Sequence, residues 1–449
     1  MDYDILKIEK PKKTSEIYDL AASGLKIPDS VDKTVEKILK EIKANGDKAV
    51  VKFCRQFDHY EVKDIDDIRV KAKEIKSAMT VVKKELPKLA EAFEVSRKNI
   101  EKYHTTQFKK ETGSWYIKPG RGKEVGQIMR PLERVGIYIP GGRYTYPSSV
   151  LMAVIPAVIA GVEEIVICTP PQLDGSLNTV LLYLFGKLKI KEAYKIGGAQ
   201  AIGVLAYGSE RIKKVVKIVG PGNIYVTAAK KRVFGEVGID SLAGPSDITI
   251  LADDSANPVF IAADLISQAE HDPDSRSILL TSSLDMAKRA IKKIYENIDA
   301  LIKEYGNNIN TGVILRSLEN NCKIIFNKEK GWLIEACNII APEHLEIMVR
   351  DTKAVLKKIK NAGAIFLGDY TPVAVGDYIG GTNHVIPTNS NARFSSPLCV
   401  FDFLKRSSVA SYDKDALDKE RKFIETMSEY EKLFAHRNSV KIRFENKQE

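Results

Sequence analysis

In the N-terminal part of the chain, apolar positions recur at the three- and four-residue spacing of a helix. This pattern predicts a helix over residues 29–44 and another over 47–57, separated by the stop signal Asn45–Gly46. Residues 70–103 predict one or two long, heavily charged helices. The polar, glycine-containing residues 115–126 predict an extended segment.

From Arg134 onward, short β-branched runs alternate with stretches of helical spacing. The predicted strands are residues 135–139, 164–168, 192–196 and 214–219, and the predicted helices are residues 148–160, 177–188, 199–206 and 223–234. Glycine-containing turns follow three of the strands, at 141–142, 197–198 and 220–222. Repeated β-α alternation implies a parallel sheet with helices on both faces. Ligands of such sheets bind at the carboxyl ends of the strands, where these glycines lie.

A second alternating region follows the first. Its predicted strands are residues 248–251, 277–281, 312–315 and 364–367, and its predicted helices are residues 258–270 and 284–305. The C-terminal part returns to helix at 413–434, and residues 439–444 alternate like an edge strand. The pattern thus predicts two α/β units, 135–246 and roughly 246–396, with the N-terminal helices joined to the second.

Composition places the chain among multidomain globular proteins. Its 449 residues are too many for one ordinary core, so two to four domains are expected. The net charge is +10, but the lysines are spread among acidic residues, and no stretch interleaves aromatic and basic residues as single-strand binders do. A solvated lysine-rich surface is favoured over a nucleic-acid partner.

The five cysteines are an odd number and form no CxxC pair. This usage predicts a reducing compartment and no disulfide framework. The N-terminal residues show no signal-peptide pattern, and the longest apolar run, 150–162, is interrupted by Pro156 and is too short to span a bilayer. A cytoplasmic protein without a membrane partner is expected.

The stretch Ala341–Ile347, APEHLEI, places Glu343 and His344 side by side after Pro342. A carboxylate beside an imidazole supplies two proton carriers with different pKa values. The proline predicts a rigid turn or the first turn of a helix. Taken alone, the stretch also fits a helix start followed by a surface histidine.

Three of the six histidines lie in acid-, amide- or glycine-rich surroundings: His271, His344 and His384. Gln268 and His271 are three residues apart at the end of a predicted helix, so both can point the same way. A Gln, His, Asp and His set is typical of a catalytic zinc site more than a structural one. The spacing alone does not distinguish such a site from ordinary surface or core histidines.

The signal for a nucleotide site is weaker, because no GxGxxG follows a first strand. The turns at 197–200 (GGAQ) and 220–223 (GPGN) each begin a predicted helix and suit phosphate or ribose. They fit ordinary connections between a strand and a helix equally well.

Taken together, these motifs resemble the histidinol dehydrogenase family. The matching runs, in order, are PLERVGIYIPGG (131–142), YPSSVLM (146–152), IGGAQAIGVLAYG (196–208), KIVGPGNIYV (217–226), LAGPSDITILAD (242–253), DLISQAEHDPDS (264–275), APEHLEI (341–347), GDYIGGTNHVIPT (376–388) and the terminal Glu431 with His436. They cover essentially the whole chain, and nine ordered motifs are far more specific than any one of them.

The resemblance implies an oxidoreductase that takes L-histidinol through histidinaldehyde to L-histidine with two NAD, at the end of histidine biosynthesis. It implies one zinc per active site and a homodimer in which the partner's C-terminal segment completes the site. The implied zinc ligands, which also contact substrate, are Gln268, His271, Asp377 and His436. The implied acid–base pair is Glu343 and His344, with His344 also a substrate contact. The further implied substrate contacts are Ser246, His384 and Glu431, and the implied NAD contacts are Tyr138, Gln200 and Asn223.

This chemistry suits the residue types. A neutral His344 can accept the alcohol proton of the first oxidation, and Glu343 can activate the water of the second. Zinc that ligates the substrate's amine or imidazole positions the carbon that loses hydride. Glu431, when ionised, can pair with a cationic amine or an imidazole N–H.

Two positions depart from the family pattern. Val373 stands where many relatives carry Glu, and Arg143 follows glycines that smaller residues usually follow. An arginine near the substrate would suit the branch of the superfamily that oxidises a sulfonated propanediol with zinc and NAD. YPSSVLM, His384 and Glu431 follow the histidinol pattern instead. A catalytically silent, nucleic-acid-binding protein is disfavoured by the acid–base pair and the four ligand candidates.

The resulting fold prediction is α/β, with two Rossmann-like doubly wound units, parallel sheets, and small N- and C-terminal helical dimerisation segments. The predicted divisions are an arm over 1–25, a discontinuous α/β domain over 26–134 and 246–396 that carries the zinc and acid–base residues, an NAD-binding domain over 135–245, and a helical dimerisation tail over 397–449.

Overall fold

The computed structural model describes residues 5–18, 21, 27–141 and 145–445. The chain divides into two compact units. Unit 1 comprises Met1–Thr105 and Leu132–Phe403, and unit 2 comprises Thr106–Pro131 and Leu404–Glu449. Among the described residues, no helix is long and apolar enough to cross a membrane.

Strands and helices are numbered in chain order. The strands are β1 (Ile8–Glu9), β2 (Trp115–Gly120), β3 (Lys123–Pro131), β4 (Arg134–Tyr138), β5 (Glu164–Thr169), β6 (Glu192–Lys195), β7 (Lys217–Val219), β8 (Gly238–Ile239), β9 (Asp247–Ala252), β10 (Arg276–Thr281), β11 (Cys322–Phe326), β12 (His344–Met348), β13 (Ala364–Leu367) and β14 (Leu404–Tyr412). The helices are α1 (Asp29–Phe53), α2 (Ile65–Ile68), α3 (Ala72–Glu85), α4 (Pro87–Glu111), α5 (Pro147–Ala160), α6 (Thr179–Lys187), α7 (Gly198–Tyr207), α8 (Ile224–Val233), α9 (Pro258–Ala269), α10 (Leu284–Tyr305), α11 (Thr311–Asn321), α12 (Lys330–Ile340), α13 (Thr352–Leu356), α14 (Lys414–Tyr430) and α15 (Phe434–Lys441).

The first sheet of unit 1 is parallel and has the strand order β6-β5-β4-β7-β8. All five residues of its central strand β4 are buried, as expected of a strand covered by helices on both faces. One of its hydrophobic cores joins α1, α7 and α8 to this sheet. The order of neighbours changes direction at β4 and β7, which places a crevice at the carboxyl ends of these two strands.

The second sheet of unit 1 is also parallel, with the order β1-β11-β10-β9-β12-β13. Apart from β1, its strands repeat the order of the first sheet. Leu345 and Ile347 of β12 join the core that α12 covers, while Met348 joins the core that α9 and α10 cover. Because side chains alternate along a strand, His344 and Glu346 face the α9 side with Met348. The predicted α/β class with parallel sheets is confirmed.

Unit 2 has a three-stranded antiparallel sheet, ordered β14-β3-β2, and the helices α14 and α15. Residues 115–126, predicted to be extended, form part of the β2–β3 hairpin. The nine-residue strand β14 lies in the tail that was predicted to be helical. Its register with β3 runs from Leu404 opposite Pro131 to Tyr412 opposite Lys123.

Two predicted strands are wrong. Residues 312–315 belong to α11, whose start is capped by the Asn310 side chain accepting the Val313 N–H. Residues 439–444 continue from α15 into a turn. In both places a short apolar run suits either structure, and packing decides between them. The break predicted between the first two helices is a kink inside α1, where Gly46 takes a positive φ of 47°.

Candidate active site

The predicted acid–base pair, Glu343 and His344, lies at the amino ends of the strands of the second sheet. Glu343 immediately precedes β12 and His344 begins it, and only 5% and 7% of the two residues are exposed. Ser246 immediately precedes β9, the neighbouring strand. The pair therefore lies at the amino ends of strands in the second sheet, whereas the glycine turns follow the carboxyl ends of strands in the first sheet.

A rigid turn holds Glu343 in place. After α12, Ala341 takes a left-handed conformation with φ of 48°, which is uncommon for a residue with a side chain. The Pro342 carbonyl accepts the Gly363 N–H at 2.9 Å, and the Glu343 carbonyl accepts the Ala364 N–H at 2.8 Å. A Cβ at Gly363 would lie 2.6 Å from the Glu343 carbonyl oxygen, so only glycine fits without rearrangement. The turn interpretation of APEHLEI is confirmed, and the helix-start interpretation is wrong.

Asp247 connects both members of the pair, and the sequence did not single it out. Its backbone N–H donates to Glu343 Oε2 at 2.9 Å, and its Oδ1 accepts the Glu343 backbone N–H at 3.0 Å. Its carbonyl oxygen lies 3.0 Å from His344 Nδ1. Arg276 at the start of β10 donates to Asp247 Oδ2 at 3.0 Å and supplies the compensating charge. Asp247 directly follows Ser246, and this adjacency is the one signal in the sequence that could have marked Asp247.

Burial favours the neutral form of the Glu343 carboxyl. Burial raises the pKa of the Glu343 carboxyl well above its usual value, and the negative charge of Asp247 raises it further. Hydrogen bonds from the Asp247 backbone and the Ser246 side chain oppose this rise. Burial also raises the pKa of Asp247, against the attraction of Arg276. The pKa of Glu343 therefore depends on the charges of its neighbours as well as on its burial.

His344 carries a neutral imidazole whose Nε2 has no hydrogen-bond partner among the described residues. Because Nδ1 faces a carbonyl oxygen, it carries the hydrogen, and Nε2 is left as the acceptor. Burial lowers the pKa of His344 to about 4, with further lowering by His271 and His384. The imidazole is thus unprotonated throughout the neutral range. This is the state that a general base requires.

His384 and Asp377 lie on one loop beside the pair. His384 Nδ1 lies 3.2 Å from the Asp377 carbonyl oxygen, and its Nε2 lies 3.2 Å from Ser149 Oγ on α5. Burial lowers the pKa of His384 to about 4 and raises that of Asp377 to about 6. The charge of Asp377 also raises the pKa of Glu343, so the loop and the pair share one electrostatic environment.

The α4 helix supports this loop from behind. Asn99 Nδ2 donates to the Ile379 carbonyl at 2.8 Å, and a Cβ at Gly381 would lie 2.6 Å from the Asn99 carbonyl oxygen. Asn383 Nδ2 donates to the Met152 carbonyl oxygen at 2.7 Å. These contacts fix the backbone that presents Asp377 and His384.

Gln268 and His271 come from the end of α9. Gln268 is 3% exposed, and its Nε2 has no hydrogen-bond partner among the described residues. Burial lowers the pKa of His271, which favours the unprotonated form that a metal ligand requires. His271 also lowers the pKa of His344 and of His384, so it lies near both.

The predicted ligands Gln268, His271 and Asp377 carry oxygen and nitrogen donors of the kind that hold a divalent metal. The fourth predicted ligand, His436, belongs to unit 2. Within the described residues, no three or more His, Cys, Asp or Glu side chains form a group that could hold a metal ion. The two ends of an amide have the same shape, so a half-turn of the Gln268 amide would place its oxygen where the unpartnered nitrogen lies. A buried polar atom without a partner is costly, and a metal would satisfy that oxygen.

Two predicted site residues belong to unit 2. Glu431 ends α14, and His436 lies in α15 with its backbone N–H on the Leu433 carbonyl. Both residues are exposed. The cluster around Glu343 and His344 is built entirely from unit 1.

The predicted NAD contacts all lie at carboxyl ends of the first sheet. Tyr138 Oη accepts the Gly198 N–H at 3.1 Å, and Gln200 Nε2 donates to Asp58 Oδ2 at 3.3 Å. Asn223 caps α8 by accepting the Tyr225 N–H at 3.0 Å. Asp58, which the sequence did not single out, connects the turn before α7 to the N-terminal helices.

The glycine turn before α8 is held from both sides. Lys230 Nζ donates to the Gly220 carbonyl at 2.9 Å, and Asp240 accepts the Gly220 N–H at 2.7 Å. Lys230 and Asp240 form a buried ion pair. Gly220 has a φ of 114°, and a Cβ there would lie 2.1 Å from the Tyr138 carbonyl oxygen. Such a turn leaves backbone room for a dinucleotide. Arg143 lies outside the described residues.

Paired Rossmann-like units with a buried carboxyl beside a neutral imidazole are typical of an α/β enzyme with an acid–base site. The model of the histidinol dehydrogenase family matches residues 24–444. The chain belongs to the histidinol dehydrogenase family, an oxidoreductase family of histidine biosynthesis.

Several relatives match along almost their whole length. The histidinol dehydrogenase of Clostridium acetobutylicum is 44% identical over 92% of this chain and 92% of its own. The one from Methanocaldococcus jannaschii is 45% identical over 91% of this chain and 92% of its own. A crystal structure of the enzyme from Elizabethkingia anophelis superposes with a TM-score of 0.90 at 35% identity, and covers 99% of both chains. These relatives do not favour the sulfonated diol as the substrate.

Proposed function

We propose that the chain oxidises L-histidinol through histidinaldehyde to L-histidine, with zinc and two NAD, in two steps at one site. The observation that carries this proposal is the buried neutral imidazole of His344, whose Nε2 has no partner among the residues described, next to the buried carboxyl of Glu343. Family membership supports the choice of substrate. NAD, when bound, accepts the hydride of each oxidation.

In the first step, His344 accepts the proton of the substrate hydroxyl at Nε2. The Nδ1 hydrogen continues to donate to the Asp247 carbonyl oxygen, which holds the ring in position and disperses the charge that the imidazole gains. The burial of His344 and Glu343 shields this proton transfer from bulk solvent, while one water must still reach the aldehyde for the second step. Retention of the aldehyde between steps protects a reactive intermediate.

In the second step, Glu343 accepts a proton from water that adds to the aldehyde. The raised pKa of Glu343 makes it a stronger base, once ionised, than an exposed carboxylate. Asp247 holds both the side chain and the backbone of Glu343, so the carboxylate can act without rotating away. The division of labour between His344 and Glu343 is part of the proposal.

Gln268, His271, Asp377 and His436 are the proposed zinc ligands, with His436 supplied by the C-terminal segment of the partner subunit. Zinc, when bound, supplies a fixed positive charge and holds the substrate's amine or imidazole. Ser246, His384 and Glu431 are the proposed substrate contacts, together with His344 and the ligands. Tyr138, Gln200 and Asn223 are the proposed NAD contacts.

A homodimer is the proposed assembly, with a partner's C-terminal segment completing the site. Unit 2 supports this with an apolar stripe along α14. Phe423, Met427 and Tyr430 lie four and three residues apart and are 67%, 66% and 89% exposed. Large apolar side chains aligned on one face of a helix mark an interaction surface. A cytoplasmic location stays a prediction from the sequence.

The test is the yield of NADH per molecule of L-histidinol in the presence of zinc and excess NAD. Two NADH per histidinol, with L-histidine as the product, is the expected result. No turnover of histidinol by the zinc-loaded protein would overturn the assignment.

A further inference from the structure

A second pair of buried carboxyl groups lies behind the candidate site. Glu346 is two residues after His344 on β12, and therefore on the same face of the strand. Asp264 is four residues before Gln268 on α9, and therefore on the same face of the helix. One carboxyl thus belongs to the strand of the proposed base, and the other to the helix of the proposed metal ligands.

The surroundings of Glu346 are otherwise apolar. Its cross-strand neighbours are Ile250 on β9 and Phe366 on β13, both members of the core that α9 covers. Glu346 is 1% exposed and Asp264 is 9% exposed. Val373, on the loop after β13, donates its backbone N–H to Glu346 Oε1 at 2.9 Å and buries its own side chain in the same core.

A proton on one of the two carboxyl groups would satisfy the other oxygen of Glu346. Oε2 is buried and has no donor among the described residues, and the side chain that meets Glu346 is the Asp264 carboxyl. Two ionised carboxylates only accept hydrogen bonds and repel each other. One proton between them satisfies Oε2 and converts the repulsion into a hydrogen bond. Burial raises the pKa of both groups, which agrees with a retained proton.

We propose that Asp264 and Glu346 form an acid–carboxylate pair, joined by one shared proton, that positions the ligand end of α9 against the base on β12. The proposal rests on the proposed function, since it takes Gln268 and His271 as ligands and His344 as the base. A buried polar pair contributes little stability that an apolar pair of similar volume would not match. The pair adds a directional contact, and this contact fixes the position of helix α9 along the direction of strand β12.

Four variants separate positioning from simple packing. Glu346→Gln keeps the contact without a shared proton, because its amide accepts from Val373 and donates to an ionised Asp264. Glu346→Leu leaves the Asp264 carboxyl buried without a partner. The double variant Asp264→Leu with Glu346→Leu replaces the pair by apolar groups. Thr249→Val, a buried change on β9 next to Leu345, is the matched control.

Each variant is purified with zinc, and three quantities are measured: kcat/KM for L-histidinol, zinc retention against a competing chelator, and the midpoint of thermal unfolding. We expect Glu346→Gln and Thr249→Val to stay within about threefold of the unmodified protein in kcat/KM and zinc retention, because neither removes the contact. We expect Glu346→Leu and the double variant to lose about tenfold or more in both quantities, the scale of a misplaced reacting group.

The double variant is decisive where it folds. Loss of zinc retention and turnover at an unchanged unfolding midpoint supports positioning, whereas normal values for both would overturn it. If the leucine variants do not fold, Glu346→Gln decides: normal values support the pair, and a tenfold loss overturns it. An unmodified protein that retains zinc but does not oxidise histidinol would refute the proposed function, and zinc retention would still test the pair.

Discussion

Replacement of His344 by asparagine removes the proposed base while it preserves the local hydrogen bond. The asparagine Nδ2 can donate to the Asp247 carbonyl in place of His344 Nδ1, which lies 3.0 Å from that oxygen. The other side of the residue then has no basic nitrogen. The change therefore tests proton transfer with little disturbance of the β9–β12 contact.

The size of the effect follows from the protonation state of His344. Burial lowers its pKa to about 4, so the base is available to essentially every molecule between pH 6 and pH 9. The whole contribution of general base catalysis is then lost at any pH in this range. That contribution is about 10²–10⁴-fold in turnover, which corresponds to about 3–6 kcal/mol at about 1.4 kcal/mol per tenfold.

The assay is steady-state NADH formation from L-histidinol at several pH values, with zinc content measured on the same samples. We expect kcat to fall by at least about 100-fold, with KM and zinc content near those of the unmodified protein. His59→Asn is the matched control. His59 is exposed and has a positive φ of 56°, which asparagine tolerates. A kcat for His344→Asn within about fivefold of normal would refute the role of this base.

Three further outcomes follow from the same structure. Removal of zinc by a chelator should abolish turnover without unfolding the chain, as circular dichroism can verify; full activity in a zinc-free sample would refute the metal role. Lys230→Met should cost about 3–5 kcal/mol in denaturant unfolding, because Asp240 stays buried without its partner; a cost below about 1 kcal/mol would contradict the importance of that pair. The pKa of Glu343 is higher in the folded protein than its value near 4.5 in the unfolded chain. The protonated carboxyl therefore contributes its full stability below pH 4.5, and this contribution declines as the pH rises toward the pKa of the folded state. The thermal unfolding midpoint of Glu343→Gln should therefore rise relative to that of the unmodified protein as the pH increases from 5 to 8. A relative fall of this midpoint over the same range would contradict the raised pKa.

Periodicity was sufficient for most of the α/β framework, because buried parallel strands and amphipathic helices leave clear patterns in the chain. It failed at residues 312–315, where Val313, Ile314 and Leu315 fit a strand as well as the helix α11. The capping residue Asn310 was the available signal for a helix.

The site was predictable only where a local motif carried it. Glu343 and His344 are adjacent and follow a proline, so the sequence pointed to them directly. Asp247 donates to Glu343 across 96 positions, and Ser149 meets His384 across 235. Contacts of that range depend on strand order and register, which periodicity does not specify. For the same reason, Asp264 and Glu346 were seen as a pair only in the folded chain.

The central claim is that one site performs two oxidations, with His344 serving the first and Glu343 the second. The most direct test is a single-turnover reaction of Glu343→Gln with L-histidinol, excess NAD and a carbonyl-trapping reagent. With the reagent present, we expect Glu343→Gln to form one NADH per active site and to release histidinaldehyde that the reagent traps. Without the reagent, we expect the unmodified protein to form two NADH and L-histidine. Two results would contradict this division of roles. One is the formation of two NADH per site by Glu343→Gln when the reagent is absent. The other is the formation of no NADH by Glu343→Gln when the reagent is present.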